Sequence, residues 1–328
     1  MLLRLLVQIS GCLTLLFTST VADDPGNTHA PTSRSFAIGY EFEVQDLQPN
    51  AELKVWCPVP SSNDHQRISI TESSGWKIGR EPKYGNQVAY AVRTTSTESQ
   101  KFELRYDIIR EEVRTGQTKS NIASPPPKDH SVWLKANTLV PLTGTHLRLL
   151  SELKPATNKF EQSQQLYDLV LNHVDYRKDQ PGWGRGDAVW VCDSQFGNCT
   201  DFHSLFISLS RVRNVPAKFE IGFSIPTDGA EGYLKGYHCW AWFHDDQRGW
   251  VPVDISEADK HPEQAKYFFG NLTADRVAMS TGRDIVLQPP QTGAPLNYFI
   301  APYAEVNGKP VPSSQIKMSH TWKVIAQK

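Results

Sequence analysis

Three short segments of the chain place a thiol, an imidazole and a carboxylate in one order along the sequence. Cys199 lies in GNCTDFHSLF, His238 in GYHCWAWF and Asp254 in GWVPVDIS. These groups are the working parts of acyl transfer by a thiol, in which an activated sulfur attacks a carbonyl carbon. The pattern therefore predicts a catalytic triad of Cys199, His238 and Asp254.

Cys199 is predicted to lie in the first turn of an amphipathic helix. Apolar residues recur every three or four positions after it, at Phe202, Leu205, Phe206, Leu209 and Val212. Asn198 is a suitable N-cap, and Asn214 followed by Val-Pro indicates the helix end. A helix N-terminus lowers a thiol pKa and leaves backbone N–H groups free to face an oxyanion. A buried structural cysteine remains the alternative, because free cysteine packs like a small hydrophobic residue.

His238 and Asp254 are predicted to meet across one β-hairpin. Residues 237–243 and 250–253 have the pattern of two strands, and the polar segment between them ends in glycine. A turn centred on Asp246 places His238 opposite Asp254, with Cβ atoms about 4.5–5.5 Å apart on one face. The alternatives are structural: a buried histidine in an aromatic strand, and an aspartate that forms a turn or cap.

These segments together resemble the core of the transglutaminase-like superfamily. The matching motifs are Gly197-Asn198-Cys199 at a helix start, His238-Cys239-Trp240 in an aromatic strand, and Trp250-Val251-Pro252-Val253-Asp254 closing the next strand. The segment RVRNVPAK, which ends at Lys218, is similar to the family's step from an arginine to Val-Pro-Ala and a basic residue. The resemblance covers residues 130 to 285 and is closer to secreted bacterial proteins of the superfamily.

The resemblance implies a papain-like arrangement in an α+β fold, with the nucleophile at a helix start packed against an antiparallel sheet. It implies Cys199 as nucleophile, His238 as general base and acid, and Asp254 as the residue that orients the imidazole. Trp190 and Gln195 lie shortly before Cys199, so either is a candidate second donor to the oxyanion. The family pattern does not define a substrate.

The segment before the catalytic motifs has a different pattern. Hydrophobic residues alternate with others over 36–44, 88–92 and 102–108, which predicts strands. We expect a β-sandwich domain over 35–118, a proline-rich linker over 119–129 and a catalytic domain over 130–328. Within the catalytic domain, a helix is predicted over 164–176 and an antiparallel hairpin around Asn307 and Gly308, which is expected to complete the sheet.

The first residues have the pattern of an export signal. A short positive segment ends at Arg4, an apolar stretch covers 5–17, and Thr20-Val21-Ala22 supplies small residues for cleavage. We expect a signal peptide over 1–22, a linker over 23–34, and an exported, periplasmic or extracellular protein with no stable membrane span. A lipid anchor at Cys12 is the alternative, because Ile9-Ser10-Gly11-Cys12 resembles a lipoprotein cleavage site.

The remaining cysteines suggest two further hypotheses. Cys57 lies in an alternating strand pattern and is expected in the core, whereas Cys192 and Cys239 are a candidate disulfide in an oxidising compartment. His203, four residues after Cys199, could join these thiols in a metal-binding module without catalysis. Because the usual paired ligand spacing of zinc sites is missing, His203 is instead expected to pack or hydrogen bond locally.

The charge balance limits the classes of partner that the chain is expected to bind. The chain has 34 basic and 35 acidic side chains and a formal charge of −1, with no basic run, so nucleic acid is not an expected partner. We expect a protein or peptide substrate, no cofactor, and attack on amide bonds through an acyl-enzyme thioester. Water as acceptor gives a cysteine peptidase or amidase, which we prefer, and a lysine amine gives protein-glutamine cross-linking. A degenerate triad in a ligand-binding module is a further alternative.

Overall fold

The computed structural model describes residues 32–96, 98–115 and 129–326. The predicted signal peptide over 1–22, the alternative anchor at Cys12 and residues 23–31 of the predicted linker lie outside this part of the chain. The proline-rich linker over 119–129 also lies outside it, except for residue 129. The export signal and the domain boundaries therefore stay predictions.

In the N-terminal part, hydrophobic residues alternate with others along the sequence, and these segments form strands that bury one face. The strands are β1 Ser33–Val44, β2 Glu52–Val59, β3 Gln66–Glu72, β4 Lys77–Arg80, β5 Gln87–Thr94, β6 Gln100–Glu111 and β7 Val113–Arg114. Every second residue of β1 from Phe36 to Val44 is buried. The apolar faces of β1, β2, β5 and β6 share one core, so the predicted N-terminal sandwich is confirmed.

The catalytic motifs lie in a mixed region of helices and strands. Its helices are α1 Lys159–His173, α2 Ala188–Ser194, α3 Cys199–Val212, α4 Ile255–Lys260 and α5 Ala265–Phe268. Its strands are β8 Asp175–Tyr176, β9 Phe196–Gly197, β10 Ala217–Ser224, β11 Glu231–Tyr233, β12 His238–Asp245, β13 Gly249–Val253, β14 Asn271–Leu272 and β15 Arg276–Thr281. Short 3-10 helices cover Ser131–Leu134, Thr145–Glu152, Pro262–Gln264 and Ser313–Gln315. The predicted α+β class is confirmed.

The catalytic sheet has the strand order β13-β12-β10-β15 and is antiparallel throughout. Helix α3 packs on β10 and β12. Cys239, Ala241 and Phe243 of β12 belong to the same core as α3, whereas Trp240 and Trp242, at the alternate positions, lie in a separate cluster. The sheet is therefore covered on both faces, and β12 presents Cys239 toward the helix that Cys199 begins.

The residues that were predicted to begin and end α3 do so in the structure. The Asn198 side chain accepts a hydrogen bond from the Thr200 N–H at 2.8 Å, and Asp201 completes a reciprocal capping box. Asn214, just beyond α3, has a φ of 60°, the left-handed conformation that ends a helix. Helix α1 begins at Lys159 rather than at 164, because the Asn158 side chain caps it.

The C-terminal strands join the N-terminal sheets. They are β16 Tyr303–Val306, β17 Lys309–Pro310 and β18 Ile316–Val324. The predicted hairpin around Asn307 and Gly308 is confirmed in β16 and β17, but β16 pairs with β2 rather than with the catalytic sheet. Strand β18 pairs with β1 and β11, which gives sheet orders β11-β18-β1-β6-β3 and β17-β16-β2-β5-β4.

The four cysteines in the described part of the chain are all free, so the predicted disulfide between Cys192 and Cys239 is wrong. Cys192 lies on α2, whereas Cys239 Sγ lies 3.7 Å from Thr200 Oγ1 on α3. Cys57 is fully buried, as expected. Among the same residues, the helices are too short or too polar to cross a membrane.

Candidate active site

Strands β12 and β13 form the predicted hairpin, but their register differs by two residues from the predicted one. The pairs are Ala241 with Val253, Trp242 with Pro252, Phe243 with Val251, His244 with Trp250, and Asp245 with Gly249. The Asp245 carboxylate accepts from the backbone N–H groups of residues 247 and 248, and Gly249 has a φ of 71°, so the turn is centred later. Direct pairing of His238 with Asp254 is therefore wrong. Because the difference is an even number of residues, the two still share a face.

The His238 imidazole and the Asp254 carboxylate meet despite this register. The distance from His238 Nε2 to Asp254 Oδ2 is 2.7 Å, and the two residues are 6% and 0% exposed. Asp254 follows β13 and is also the N-cap of α4, where its Oδ1 accepts from the Glu257 N–H at 3.2 Å. The two carboxylate oxygens thus have different partners: Oδ1 caps α4, and Oδ2 is hydrogen-bonded to the imidazole.

The Cys199 thiol lies at the first residue of α3, next to the His238 imidazole. Cys199 is 2% exposed, and its thiol lies close enough to His238 and Cys239 for both side chains to lower its pKa. Since Nε2 of His238 faces Asp254, Nδ1 is the ring nitrogen that remains for the thiol. The structure therefore brings together Cys199, His238 and Asp254, in the order thiol, imidazole, carboxylate.

The electrostatics of this group favour a charged pair. Burial raises the pKa of the Cys199 thiol, but hydrogen bonds from Cys239 and His238 and the positive charge of His238 hold it well below its ordinary value. Burial lowers the pKa of His238, but the charge and hydrogen bond of Asp254 outweigh burial and raise it to about 9. Around neutral pH the site therefore holds a thiolate and an imidazolium, the reactive form of a cysteine nucleophile.

Arg276, on β15, is a neighbour of the site that the sequence did not indicate. Its Nε lies 3.3 Å from Asp254 Oδ2, its Nη1 2.6 Å from Asp275, and its Nη2 3.1 Å from Glu257. Burial raises the pKa of Asp254, but the charges of His238 and Arg276 bring it below its ordinary value. Asp254 therefore stays ionised beside His238.

His203 links the nucleophile helix to the Asp254 segment. Its Nδ1 lies 2.7 Å from the Cys199 carbonyl, and its Nε2 accepts from the Ile255 N–H at 3.0 Å. The proton must therefore be on Nδ1, and burial lowers the pKa of His203, which keeps the ring neutral. The predicted local hydrogen bond of His203 is confirmed, while its bond to Ile255 was unforeseen. The described residues include no cluster of three or more His, Cys, Asp or Glu side chains that could hold a metal ion.

A glycine-rich loop over 181–187 lies against the start of α3. The buried Asp201 carboxylate accepts from the N–H groups of Gly184 at 2.6 Å and Gly186 at 2.8 Å, and from Asn198 at 2.9 Å. Gly186 has a φ of 64°, and a Cβ there would lie 2.6 Å from Thr200 Cγ2. The loop therefore requires glycine to approach the helix start so closely.

The two candidate oxyanion donors lie on α2 and at its end. Trp190 is half-buried, and its ring meets Phe196 edge-on at 5.3 Å. Gln195 is the exposed C-cap of α2, with a φ of 61°. The contacts resolved in the described part of the chain join neither residue to Cys199, so both roles stay predictions. The hydroxyl that does lie at the helix start is that of Tyr237, which accepts from Asn198 Nδ2 at 3.2 Å.

The segment that contains these residues matches a known protein family. Residues 148–255, which include Cys199 and His238 and reach Asp254, match the model of the transglutaminase-like superfamily. An uncharacterized protein of Haemophilus influenzae is 27% identical over 337 residues, which cover 88% of this chain and 91% of that protein.

One solved structure has a similar fold, and a second matches more weakly. The crystal structure of "a Putative Cysteine Protease" from Cytophaga hutchinsonii has a TM-score of 0.56 at 13% identity, over 92% of this chain and 93% of that one. The periplasmic domain of TgpA from Pseudomonas aeruginosa has a TM-score of 0.34 at 14% identity, over 72% and 91%. The first of these establishes the fold alone.

Proposed function

From the premise that residues 148–255 belong to the transglutaminase-like superfamily, we propose that this chain is a thiol hydrolase of protein or peptide amide bonds, a cysteine peptidase or amidase. One observation supports this most directly. The His238 Nε2 lies 2.7 Å from Asp254 Oδ2, and the same imidazole lies next to the Cys199 thiol and lowers its pKa. That chain of contacts supplies a nucleophile, a proton carrier and an anion that keeps the carrier charged.

In the proposed reaction, the Cys199 thiolate attacks the amide carbonyl carbon and a C–S bond forms. The oxygen gains negative charge next to the N-terminus of α3, where backbone N–H groups without helical partners stabilise an anion. The His238 imidazolium then donates its proton to the leaving amine as the C–N bond breaks. A thioester to Cys199 remains, and the neutral His238 can now act as a base.

The acceptor decides the overall reaction. Water deprotonated by His238 attacks the thioester, releases a carboxylic acid and restores the thiolate and imidazolium. A lysine amine at the same point gives an isopeptide bond instead, as in protein cross-linking. We favour water because it is always available and no feature of the sequence suggests a channel that selects amines.

A thiol-directed activity probe and a product analysis test the proposal together. We expect wild-type protein to label at Cys199 and to release new N-termini or ammonia from protein substrates. Both signals should disappear in Cys199→Ala and should fall by about 10³-fold or more in His238→Ala. Cys192→Ala is the matched control, since it removes a thiol on α2 and leaves the site intact. Isopeptide products without hydrolysis, or full labelling in His238→Ala, would contradict the proposal.

We extend the proposal to the compartment in which the chain acts. The positive segment ending at Arg4, the apolar stretch over 5–17 and the small residues before position 23 support export, and with it a substrate outside the cytoplasm. Fractionation of cells that produce the full chain tests this. Protein retained at full length in the cytoplasm would contradict it.

A further inference from the structure

A second thiol lies next to Cys199 and takes part in no bond-making or proton-transfer step of the proposed hydrolysis. Cys239 follows His238 on β12 and is fully buried on the face that packs against α3. Its Sγ lies 3.7 Å from Thr200 Oγ1 and 3.9 Å from His203 Nδ1, both on the first turns of α3. Cys199 directly precedes Thr200 at the start of α3 and is itself buried, so the two thiols are neighbours, and each shifts the pKa of the other. A reactive cysteine and a second cysteine therefore share one buried site.

We propose that Cys199 and Cys239 are an oxidative modification site for hydroperoxides, in which Cys239 resolves oxidised Cys199 as an intramolecular disulfide. Oxidation-sensitive cysteines are thiolates with a resolving cysteine nearby, and both features are present here. The other described thiols are less suited. Cys57 lies on β2, where burial raises the pKa of its thiol, and Cys192 lies on α2.

The chemistry balances with hydrogen peroxide as the oxidant. The Cys199 thiolate attacks one peroxide oxygen, an S–O bond forms and the O–O bond breaks. The departing hydroxide takes up a proton and leaves as water, and Cys199 is a sulfenic acid, oxidised by two electrons. The Cys239 sulfur then attacks the Cys199 sulfur, an S–S bond forms and the S–O bond breaks. The leaving hydroxide combines with the Cys239 proton as a second water.

The disulfide would have two effects on the molecule. It would remove the nucleophile, so oxidised protein would be inactive until a thiol reductant reopened the bond. It would also protect Cys199, because a sulfenic acid that is not resolved is oxidised irreversibly to a sulfinic acid. Because the site is buried, large external thiols have limited access to it. We therefore expect Cys239 to react with oxidised Cys199 before they do.

The test treats the full chain with hydrogen peroxide and measures intact mass and non-reducing peptide maps. We expect wild-type protein to lose the mass of two hydrogen atoms, to yield one cross-linked peptide pair containing Cys199 and Cys239, and to recover probe labelling after reduction. Cys239→Ala should instead gain two oxygen atoms at Cys199 and stay unlabelled after reduction. Cys192→Ala is the matched control and should behave as wild type.

Several results would overturn the proposal. They are sulfinic acid at Cys199 in wild-type protein without a cross-link, a cross-link to a different cysteine, or reversible oxidation in Cys239→Ala. Cys239→Ser provides a second variant of nearly unchanged size if the alanine variant does not fold. The mass readout requires no amide cleavage, so a disulfide in a protein that cleaves nothing would contradict only the proposed hydrolysis. Hydrolysis without the disulfide would contradict only this inference.

Discussion

Replacing Asp254 by asparagine separates the two tasks that its carboxylate performs. Oδ1 accepts from Ser256 Oγ and the Glu257 N–H, and Oδ2 accepts from His238 and from Arg276 Nε. An amide has one accepting oxygen, so one of these two sets of donors must face an NH₂ group. Asparagine is a good N-cap. We therefore expect its oxygen to keep the α4 cap and its NH₂ group to face His238.

The magnitude follows from the pKa of His238. Asp254 is the main cause that raises this pKa to about 9, whereas burial alone lowers it from 6.5. Without the carboxylate we expect a value of 6.5 or below, and a fall of that size corresponds to about 3 kcal/mol of lost imidazolium stabilisation. Hydrolysis in Asp254→Asn should then fall by about 10²-fold, since each 1.4 kcal/mol corresponds to a factor of ten in rate.

The rate of Cys199 alkylation by iodoacetate as a function of pH measures this effect without a substrate, because the His238 imidazolium attracts the anionic reagent and the rate falls when that charge is lost. In wild-type protein we expect the thiolate and imidazolium to coexist from well below the ordinary thiol pKa up to about pH 9, where His238 loses its proton. In Asp254→Asn that upper limit should move to pH 6.5 or below. Cys199→Ala gives the background. An unchanged upper limit in Asp254→Asn would refute the claim that Asp254 holds His238 charged.

Further variants test the surroundings of the site. Arg276→Met leaves the buried Asp254 and Asp275 and the half-buried Glu257 without their shared cation and should lower the free energy of unfolding by about 3–5 kcal/mol in urea; unchanged stability would contradict the ion-pair role. His203→Leu should cost about 1–3 kcal/mol for each backbone group left unpaired, and His203→Asn, which can still donate to the Cys199 carbonyl, should recover part of it. Gly186→Ala should displace the loop and reduce activity, whereas Gly236→Ala, with open space around its Cβ, should not; equal activities would contradict the close approach.

Stability should also depend on pH through His238. Its folded pKa, about 9, is raised above 6.5, so its contribution is fully present below pH 6.5 and is lost as the pH rises through about 9. Thermal unfolding of wild-type protein and His238→Gln between pH 6 and pH 10 should show a stability difference that shrinks with rising pH. A difference that grows with pH would contradict this sign.

The sequence predicted those features of the site that depend on local chemistry. The start and end of α3 follow from Asn198, Asp201 and Asn214, which act on backbone groups within a few residues. The hairpin was predicted, but its register was not, because the Asp245 side chain and the positive φ of Gly249 decide the turn centre. The observed register differs from the predicted one by two residues, so His238 and Asp254 stay on one face, where their side chains meet.

The features that the sequence could not predict depend on pairings between distant segments. Arg276 reaches Asp254 only because β15 pairs with β10, and nothing near Arg276 in the sequence marks that partner. Alternation likewise predicts a strand but not its neighbour, so the pairing of β18 with β1 was not foreseen. The predicted disulfide between Cys192 and Cys239 was wrong for the same reason, because the presence of two cysteines does not specify which elements pack together.

The pairing of β1 with β18 has a consequence for how the protein is made. The whole catalytic region lies between these strands in the chain, so the first sheet lacks a central strand until the last one has emerged from the ribosome. Sheets closed by such distant partners form slowly and late. A partly synthesised chain therefore holds Cys199, His238 and Asp254 before the first sheet is complete, and we expect the site to form only once β18 has joined β1.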